Sequence, residues 1–297
     1  MSAVRRVRVL INPKSGLWWS STALQQAIQK HWDTDGIDLS YQYSKTAEDG
    51  QAKTRRAVEE GVDTLLVVGG DGMVNSIGSA LIHTDVALGV IPAGSGNGFA
   101  RHFGIPLTAD KAVQTLKQAD RMAIDVGTAN GRPFFVTCSM AWDATIVRSF
   151  DRSPVRGILP YVFAAAYEFL EYRAKPFAVN LDGEDISFPE PLLFTVANLT
   201  QYGGGAKVAP KARPDDGLLE LVVVSRKDAP RLLAQLPRLF DGTLDGMRVV
   251  YSKAFKSICV NRQEPGPIQV DGELVESPAE VKVEVIPHAL NVLVPCS

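Results

Sequence analysis

The chain has 297 residues, with 31 basic and 33 acidic side chains and a formal charge of −2, so no global basic field points to nucleic acid as a partner. Its 45% hydrophobic and 22% charged residues are ordinary for a globular protein and are enough for two domains or one large one. Cys138, Cys259 and Cys296 are far apart with no C-x-x-C pair, which argues against a disulfide framework or a cysteine-based zinc site and fits a reducing, cytoplasmic setting.

The opening MSAVRRVRVLI meets Asn12-Pro13 too soon for a signal-peptide core. Residues 6–11 read as a short apolar strand. Leu24, Ala27, Ile28 and His31 or Trp32 then recur at helical spacing behind Ser21 or Thr22. Tyr41 and Tyr43 alternate with polar residues as a strand would, 48–60 reads as a helix stopped by Gly61, and 64–68 is a continuous buried strand. Residues 73–82 are helical, 86–91 form a strand and 109–118 another helix. This alternation predicts an α/β domain with a mostly parallel sheet.

After about residue 128 the pattern changes. Runs at 132–140, 177–181, 192–198, 218–224, 257–260, 268–270 and 281–286 read as short strands separated by Gly, Pro, Asn and Asp, which predicts a β-sandwich. Helical segments interrupt it at about 159–172 and 229–240. The stretch 157–170 is too short to span a bilayer and carries Glu168; its Tyr161, Phe163, Tyr167 and Phe169 read as core more readily than as a membrane face. The expected domains are 1–127 and 128–286, with 287–297 packing back on the first.

Three predicted parallel strands run into polar, glycine-containing loops: N-P-K-S-G from Asn12, G-G-D-G around Asp71, and P-A-G-S-G-N-G around Ser95. Each alone reads as a turn. Together, at the carboxyl ends of successive strands, they predict a phosphate or nucleotide site, since glycine admits backbone N–H groups to an anion and a helix follows at once. The chain has no G-x-x-x-x-G-K-[ST], and Asn75 stands where G-x-G-x-x-G needs its third glycine. Asp71 would repel a bare triphosphate and makes sense beside Mg²⁺.

GGDGMVN, PAGSGNGFAR, NPKSG, YGGGAKVAPKARPDDGLLEL and VDGEL, in this order over nearly the whole chain, resemble the diacylglycerol kinase catalytic family, which includes bacterial soluble lipid kinases and the sphingosine and ceramide kinases. The resemblance implies an amino-terminal parallel-sheet nucleotide domain of the NAD kinase and diacylglycerol kinase-like type. It also implies a carboxyl-terminal β-sandwich that helps bind lipid, with transfer of the ATP γ-phosphoryl group to a lipid hydroxyl between the two. Asn12, Lys14, Thr46, Gly70, Asp71, Gly72, Met73, Val74, Asn75 and Ser95 match nucleotide positions. Asp216, with the carbonyls of Arg213 and Leu218, matches a structural Mg²⁺ site. Glu273 matches a general base, with Asp271 as its orienter, as the holder of a metal-bound water, or as a simple turn residue. Asp182 matches nothing catalytic and reads as a hairpin corner, which Asp-Gly favours at all three of its occurrences here. The resemblance further implies ATP and Mg²⁺ as cofactors, a lipid at a membrane surface as partner and peripheral membrane association, and it allows a homodimer.

Met73 replaces the family's usual Thr or Ser, Ser76 its usual Glu, and Asn97-Gly98 its Asn-Asp, leaving a sphingoid or other long-chain alcohol open as acceptor. A soluble small-molecule kinase resembling NAD kinase and a nucleotide-responsive lipid-binding protein without catalysis are the alternatives.

Overall fold

The computed structural model describes residues 4–13, 21–142, 144 and 172–296. Lys14 and residues 159–171 of the helix expected at 159–172 lie outside them. The chain divides into two units: Met1–Asp125 with Gly203–Gly205 and Pro287–Ser297, and Val126–Tyr202 with Ala206–Ile286.

In the first unit β1 (Arg5–Ile11), β2 (Ile37–Tyr43), β3 (Thr64–Gly69) and β4 (Ala87–Pro92) form a parallel sheet in the order β2-β1-β3-β4. Every residue of β3 and β4 is buried, as expected of central strands covered on both faces. Helices α1 (Ser21–Trp32) and α5 (Ala109–Lys117) pack together, with Trp32 Nε1 donating to the Val113 carbonyl at 3.1 Å; α2 (Ala47–Glu59) packs with α3 (Asp71–Ser79). α3 starts two residues before the expected helix and ends three earlier. A short helix that periodicity missed, α4 (Gly98–His102), follows the third glycine loop.

In the second unit a six-stranded antiparallel sheet runs β12 (Val250–Phe255), β11 (Leu219–Ser225), β10 (Pro191–Ala197), β7 (Thr137–Ser139), β14 (Gly266–Val270), β15 (Glu273–Ser277). Its inner face meets β6 (Arg132–Phe134), β8 (Phe177–Leu181) and β13 (Ser257–Asn261) in one core. Phe134, Phe177, Val179 and Val260 from these strands interdigitate with Phe194, Leu221 and Phe255 from the six-stranded sheet, as in a sandwich. The outer face of β10 and β11 is buried too, beneath Val208, Ala212, Leu232, Leu244 and Met247. That second cover explains why both strands read as unbroken apolar runs.

Three expected elements differ. The run 132–140 is two strands, because the N–H groups of Phe135, Val136 and Thr137 donate to the Asp271 carboxylate, at 2.8, 2.8 and 3.0 Å, instead of continuing one ladder. The helix expected at 229–240 is α6 (Ala229–Ala234) and α7 (Arg238–Asp241), with Pro237 between them lacking the N–H a continuous helix needs. The strand expected at 281–286 is the opening of β16 (Glu280–Val294), whose early residues pair with β13 and whose Val292 pairs with Leu88 of β4. Within it His288 is left-handed, and its N–H is taken at 2.8 Å by the buried Asp125 carboxylate.

Candidate functional sites

The parallel register fixes where the glycine loops lie. Ile11 is level with Tyr43 and Val68, and Val68 with Ile91, so the segments after all four strands leave the sheet at one edge. Two loops touch through their backbones: a Cβ on Gly94 would stand 2.6 Å from the Gly70 Cα, and one on Gly203 would stand 3.1 Å from the Gly96 Cα. The N–H of Gly204 donates to the Gly96 carbonyl at 3.0 Å. Only glycine permits this stacking. A Gly94→Ala protein is therefore expected to lose about 1–3 kcal/mol of stability by overpacking and to bind nucleotide more weakly, measurable by thermal unfolding and by titration calorimetry.

Asp71 opens α3, and both of its carboxylate oxygens have partners: Oδ2 accepts from the Gly98 N–H at 2.9 Å and Oδ1 from the Phe99 N–H at 3.0 Å. The carboxylate thus caps α4 and ties the second glycine loop to the third. These two amide donors give Asp71 a structural role in addition to the place beside Mg²⁺ that the sequence led one to expect. Burial pushes its carboxyl pKa up, while those N–H groups and Arg101 pull it down.

α3 itself begins at Gly70 with no side-chain cap, so its first turn offers amide donors and the positive end of its dipole to an anion. Gly72, Met73 and Val74 lie in that turn. Met73 leans on the preceding strand, with its Cβ 2.7 Å from where a Gly69 Cβ would be. Ser76 Oγ donates to the Ala47 carbonyl at 3.2 Å, so this departure from the family pattern joins α3 to α2. Asn75 is buried one turn in, and Ser95 is exposed at the tip of the third loop. Thr46 caps α2 by accepting the Asp49 N–H at 3.2 Å, and Asn12 follows β1.

Sequence reasoning missed Asn97 as the residue that shapes the third loop. It is left-handed, and its amide grips Gly94 twice, accepting the N–H at 2.9 Å and donating to the carbonyl at 2.7 Å. The Asn-Gly pair was the available signal. Arg101 Nε donates to the Gly96 carbonyl at 3.1 Å from the helix that Asp71 caps.

Next to it His102 has its pKa lowered by burial from 6.5 to about 4. The folded state therefore keeps the ring neutral where the unfolded chain takes up a proton. Its stabilising effect is complete above pH 6.5 and is lost as pH falls toward about 4, at up to about 1.4 kcal/mol per pH unit. Chemical unfolding across that window should show a steeper pH slope for the native protein than for His102→Gln.

In the second unit, Asp-Gly occurs twice as the same device. Asp182-Gly183 and Asp271-Gly272, all left-handed, turn the hairpins of β8 with β9 (Glu184–Phe188) and of β14 with β15. Each Asp also accepts N–H groups of a neighbouring strand: Lys256 and Ser257 for the exposed Asp182, and Phe135, Val136 and Thr137 for the buried Asp271. Asp271 is therefore engaged by three amides, which makes it the anchor of its hairpin. Glu273, two residues on, is half-exposed and pairs through Oε2 with Arg132 Nη2 at 2.9 Å. Arg132 was not foreseen, since 141 residues separate the two.

Asp216 is not a hairpin corner. It is exposed and accepts the Leu218 N–H at 3.1 Å, while Arg213 lies 3.8 Å from Asp215. The side chain of Glu220, close by, is held by the Ser252 hydroxyl. Its pKa is raised, first by burial and further by Asp216 and Asp245. A carboxylate with the carbonyls of Arg213 and Leu218 is the oxygen donor set a hard cation takes, so these residues fit Mg²⁺ in chemistry. Among the described residues no group of three or more His, Cys, Asp and Glu side chains is placed to hold a metal by itself. No helix among them is long and apolar enough to cross a membrane.

A parallel sheet ending in stacked glycine loops, followed by an antiparallel sandwich, defines the NAD kinase and diacylglycerol kinase-like class. The family model for the diacylglycerol kinase catalytic domain matches residues 6–129, and that for the YegS C-terminal NAD kinase beta sandwich-like domain matches 137–294. A diacylglycerol kinase of Mycobacterium tuberculosis is 30% identical, covering 98% of this chain and 96% of its own. A probable lipid kinase YegS-like protein of Enterobacter is 27% identical over 97% and 95% of the two chains. The chain belongs to the diacylglycerol kinase family. The fold is also that of a putative diacylglycerol kinase from Bacillus anthracis, with a TM-score of 0.79 at 22% identity over 98% and 97% of the two chains.

Proposed function

We propose that this protein is a lipid kinase that transfers the γ-phosphoryl group of ATP to a hydroxyl of a lipid such as diacylglycerol or a sphingoid base. The observation that carries the reading is the row of glycine loops at one sheet edge, locked by the Asp71 bonds to Gly98 and Phe99, beside an uncapped helix start. The uncapped start of α3 suits a phosphate, with Gly70, Gly72, Met73, Val74 and Asn75 in the second loop and the helix it opens, Ser95 in the third loop, and Asn12 and Thr46 on the flanking segments, while Lys14 is proposed from the sequence alone. Asp71 acts as a positioning residue.

Glu273 accepts the acceptor's proton as its hydroxyl oxygen bonds to the γ-phosphorus, while the bond to the β,γ-bridging oxygen breaks and ADP leaves. Its pair with Arg132 is half-exposed, so it holds the carboxylate in place at a cost a bound substrate easily overcomes. Asp271 fixes the hairpin that presents Glu273. Mg²⁺, when bound, neutralises charge on the phosphates, and Asp216 with the Arg213 and Leu218 carbonyls is the structural site these residues suit. Diacylglycerol and a sphingoid base, offered separately in mixed micelles with ATP and Mg²⁺, test the reading: a phosphorylated lipid in either arm supports it and names the acceptor, and no lipid product in either would refute it.

A further inference from the structure

Among the described residues, six large hydrophobic side chains are exposed, and three of them, Leu233, Leu236 and Phe240, at 59%, 44% and 53%, fall within eight residues of each other. They lie on α6, the link to α7 and α7 itself, the layer whose inner residues Leu232 and Leu244 cover the six-stranded sheet. The run 233–237 is exposed without a break and reads L-A-Q-L-P, with no charge. A shallow apolar recess is formed by Leu236, Pro237 and Phe240 with Asp241 at its edge. Nothing in folding requires this outer face, since Ala229 and Leu232 are the buried residues of α6.

The rim is basic. Arg231, 72% exposed, reaches Asp228 at 2.9 Å, and Arg238 donates to the Thr243 carbonyl at 3.3 Å. Lys207 joins them, its N–H bonded to the Leu239 carbonyl and its side chain against Gly242. Residues 225–250 hold five basic and three acidic side chains, a surplus of two in a chain that is negative overall. An exposed apolar patch flanked by a surplus of arginine and lysine suits a bilayer interface with anionic headgroups, where aliphatic and aromatic side chains enter the acyl boundary and guanidinium groups meet phosphates. Arginine suits either kind of partner, but lysine is depleted at protein interfaces, and Lys207 stands on this rim.

We propose that Leu233, Leu236 and Phe240, flanked by Arg231, Arg238 and Lys207, form the surface by which this protein docks on an anionic membrane. The proposal rests on the lipid-kinase reading for its purpose but not for its test.

The full-length protein is sedimented with vesicles of equal phosphatidylglycerol and phosphatidylcholine, and with vesicles of phosphatidylcholine alone, without ATP. Binding is expected to the first and to weaken with salt. The triple variant Leu233→Ser, Leu236→Ser, Phe240→Ser should bind at least about tenfold more weakly. Arg231→Gln with Arg238→Gln should lose about fivefold per arginine, only on anionic vesicles. Leu233, Leu236, Phe240 and Arg231 are exposed and Arg238 is partly buried, so unchanged thermal unfolding is required of each variant to confirm the fold. Turnover on lipid dispersed in detergent micelles should be unaltered in both variants. Native-strength vesicle binding by the triple variant, or no vesicle binding by the native protein, overturns the proposal. So does a native dimer that the triple variant converts to monomer without loss of vesicle binding, which would assign the patch to a second copy of the chain. Vesicle binding without micellar turnover would instead count against the kinase reading and leave the docking surface standing.

Discussion

Replacing Glu273 by glutamine is expected to lower lipid phosphorylation at least about a hundredfold while leaving ATP affinity unchanged. A general base is typically worth 10²–10⁴ in rate, and glutamine keeps the shape while losing the ability to take a proton. The hairpin survives the change, because its corner is held by Asp271 and the amides of Phe135, Val136 and Thr137, none of which involves the Glu273 side chain. Only a half-exposed ion pair to Arg132 is lost, worth about 0–1 kcal/mol at most. Single-turnover rates in micelles, with ATP affinity measured separately, check the result. Arg132→Ala provides the contrast: it frees the carboxylate without removing it, so turnover should fall far less.

The second large effect is expected at Asp71. In Asp71→Asn one oxygen can still accept an N–H, but the amide nitrogen then faces the other, at Gly98 or Phe99, and a buried donor is left without an acceptor. A loss of about 1–3 kcal/mol follows, with detachment of the third glycine loop and a nucleotide affinity reduced by about tenfold or more. The loss of stability should be seen without nucleotide or metal. That separates the positioning role from a metal-binding one: were Asp71 chiefly a metal ligand, the variant would keep its apo stability and lose only Mg²⁺-dependent nucleotide binding.

Sequence patterning revealed the architecture where one local rule governed. The unbroken apolar runs of β3 and β4 and the glycine loops after them needed only knowledge that parallel strands are buried on both faces. Local rules failed where distant atoms decide. The break in the run 132–140 depends on a carboxylate more than 130 residues away, and no pattern near Phe135 announces it. The loop-tying role of Asp71 stayed hidden for the same reason, because the two amides that it accepts lie 27 and 28 residues downstream.

The twin Asp-Gly-Glu hairpins make the point within one unit. Asp182 and Asp271 have the same turn and the same bonding logic, yet Asp182 is exposed and Asp271 only 6% exposed. Family likeness ranked them by assigned chemistry, whereas the structure distinguishes them by burial. Pro237 did carry a local warning against one long helix at 229–240. The pairing of β16 with both β13 and β4 carried none, since a strand's partners are not written in its own residues.

The central claim is that the phosphoryl group held at the glycine loops passes to a lipid alcohol. The most direct test is incubation of the protein with γ-labelled ATP, Mg²⁺ and a mixed lipid extract, followed by partition between organic and aqueous phases. Label is predicted in a phosphorylated lipid in the organic phase, and it should vanish with Glu273→Gln. Label confined to a water-soluble product would contradict the account.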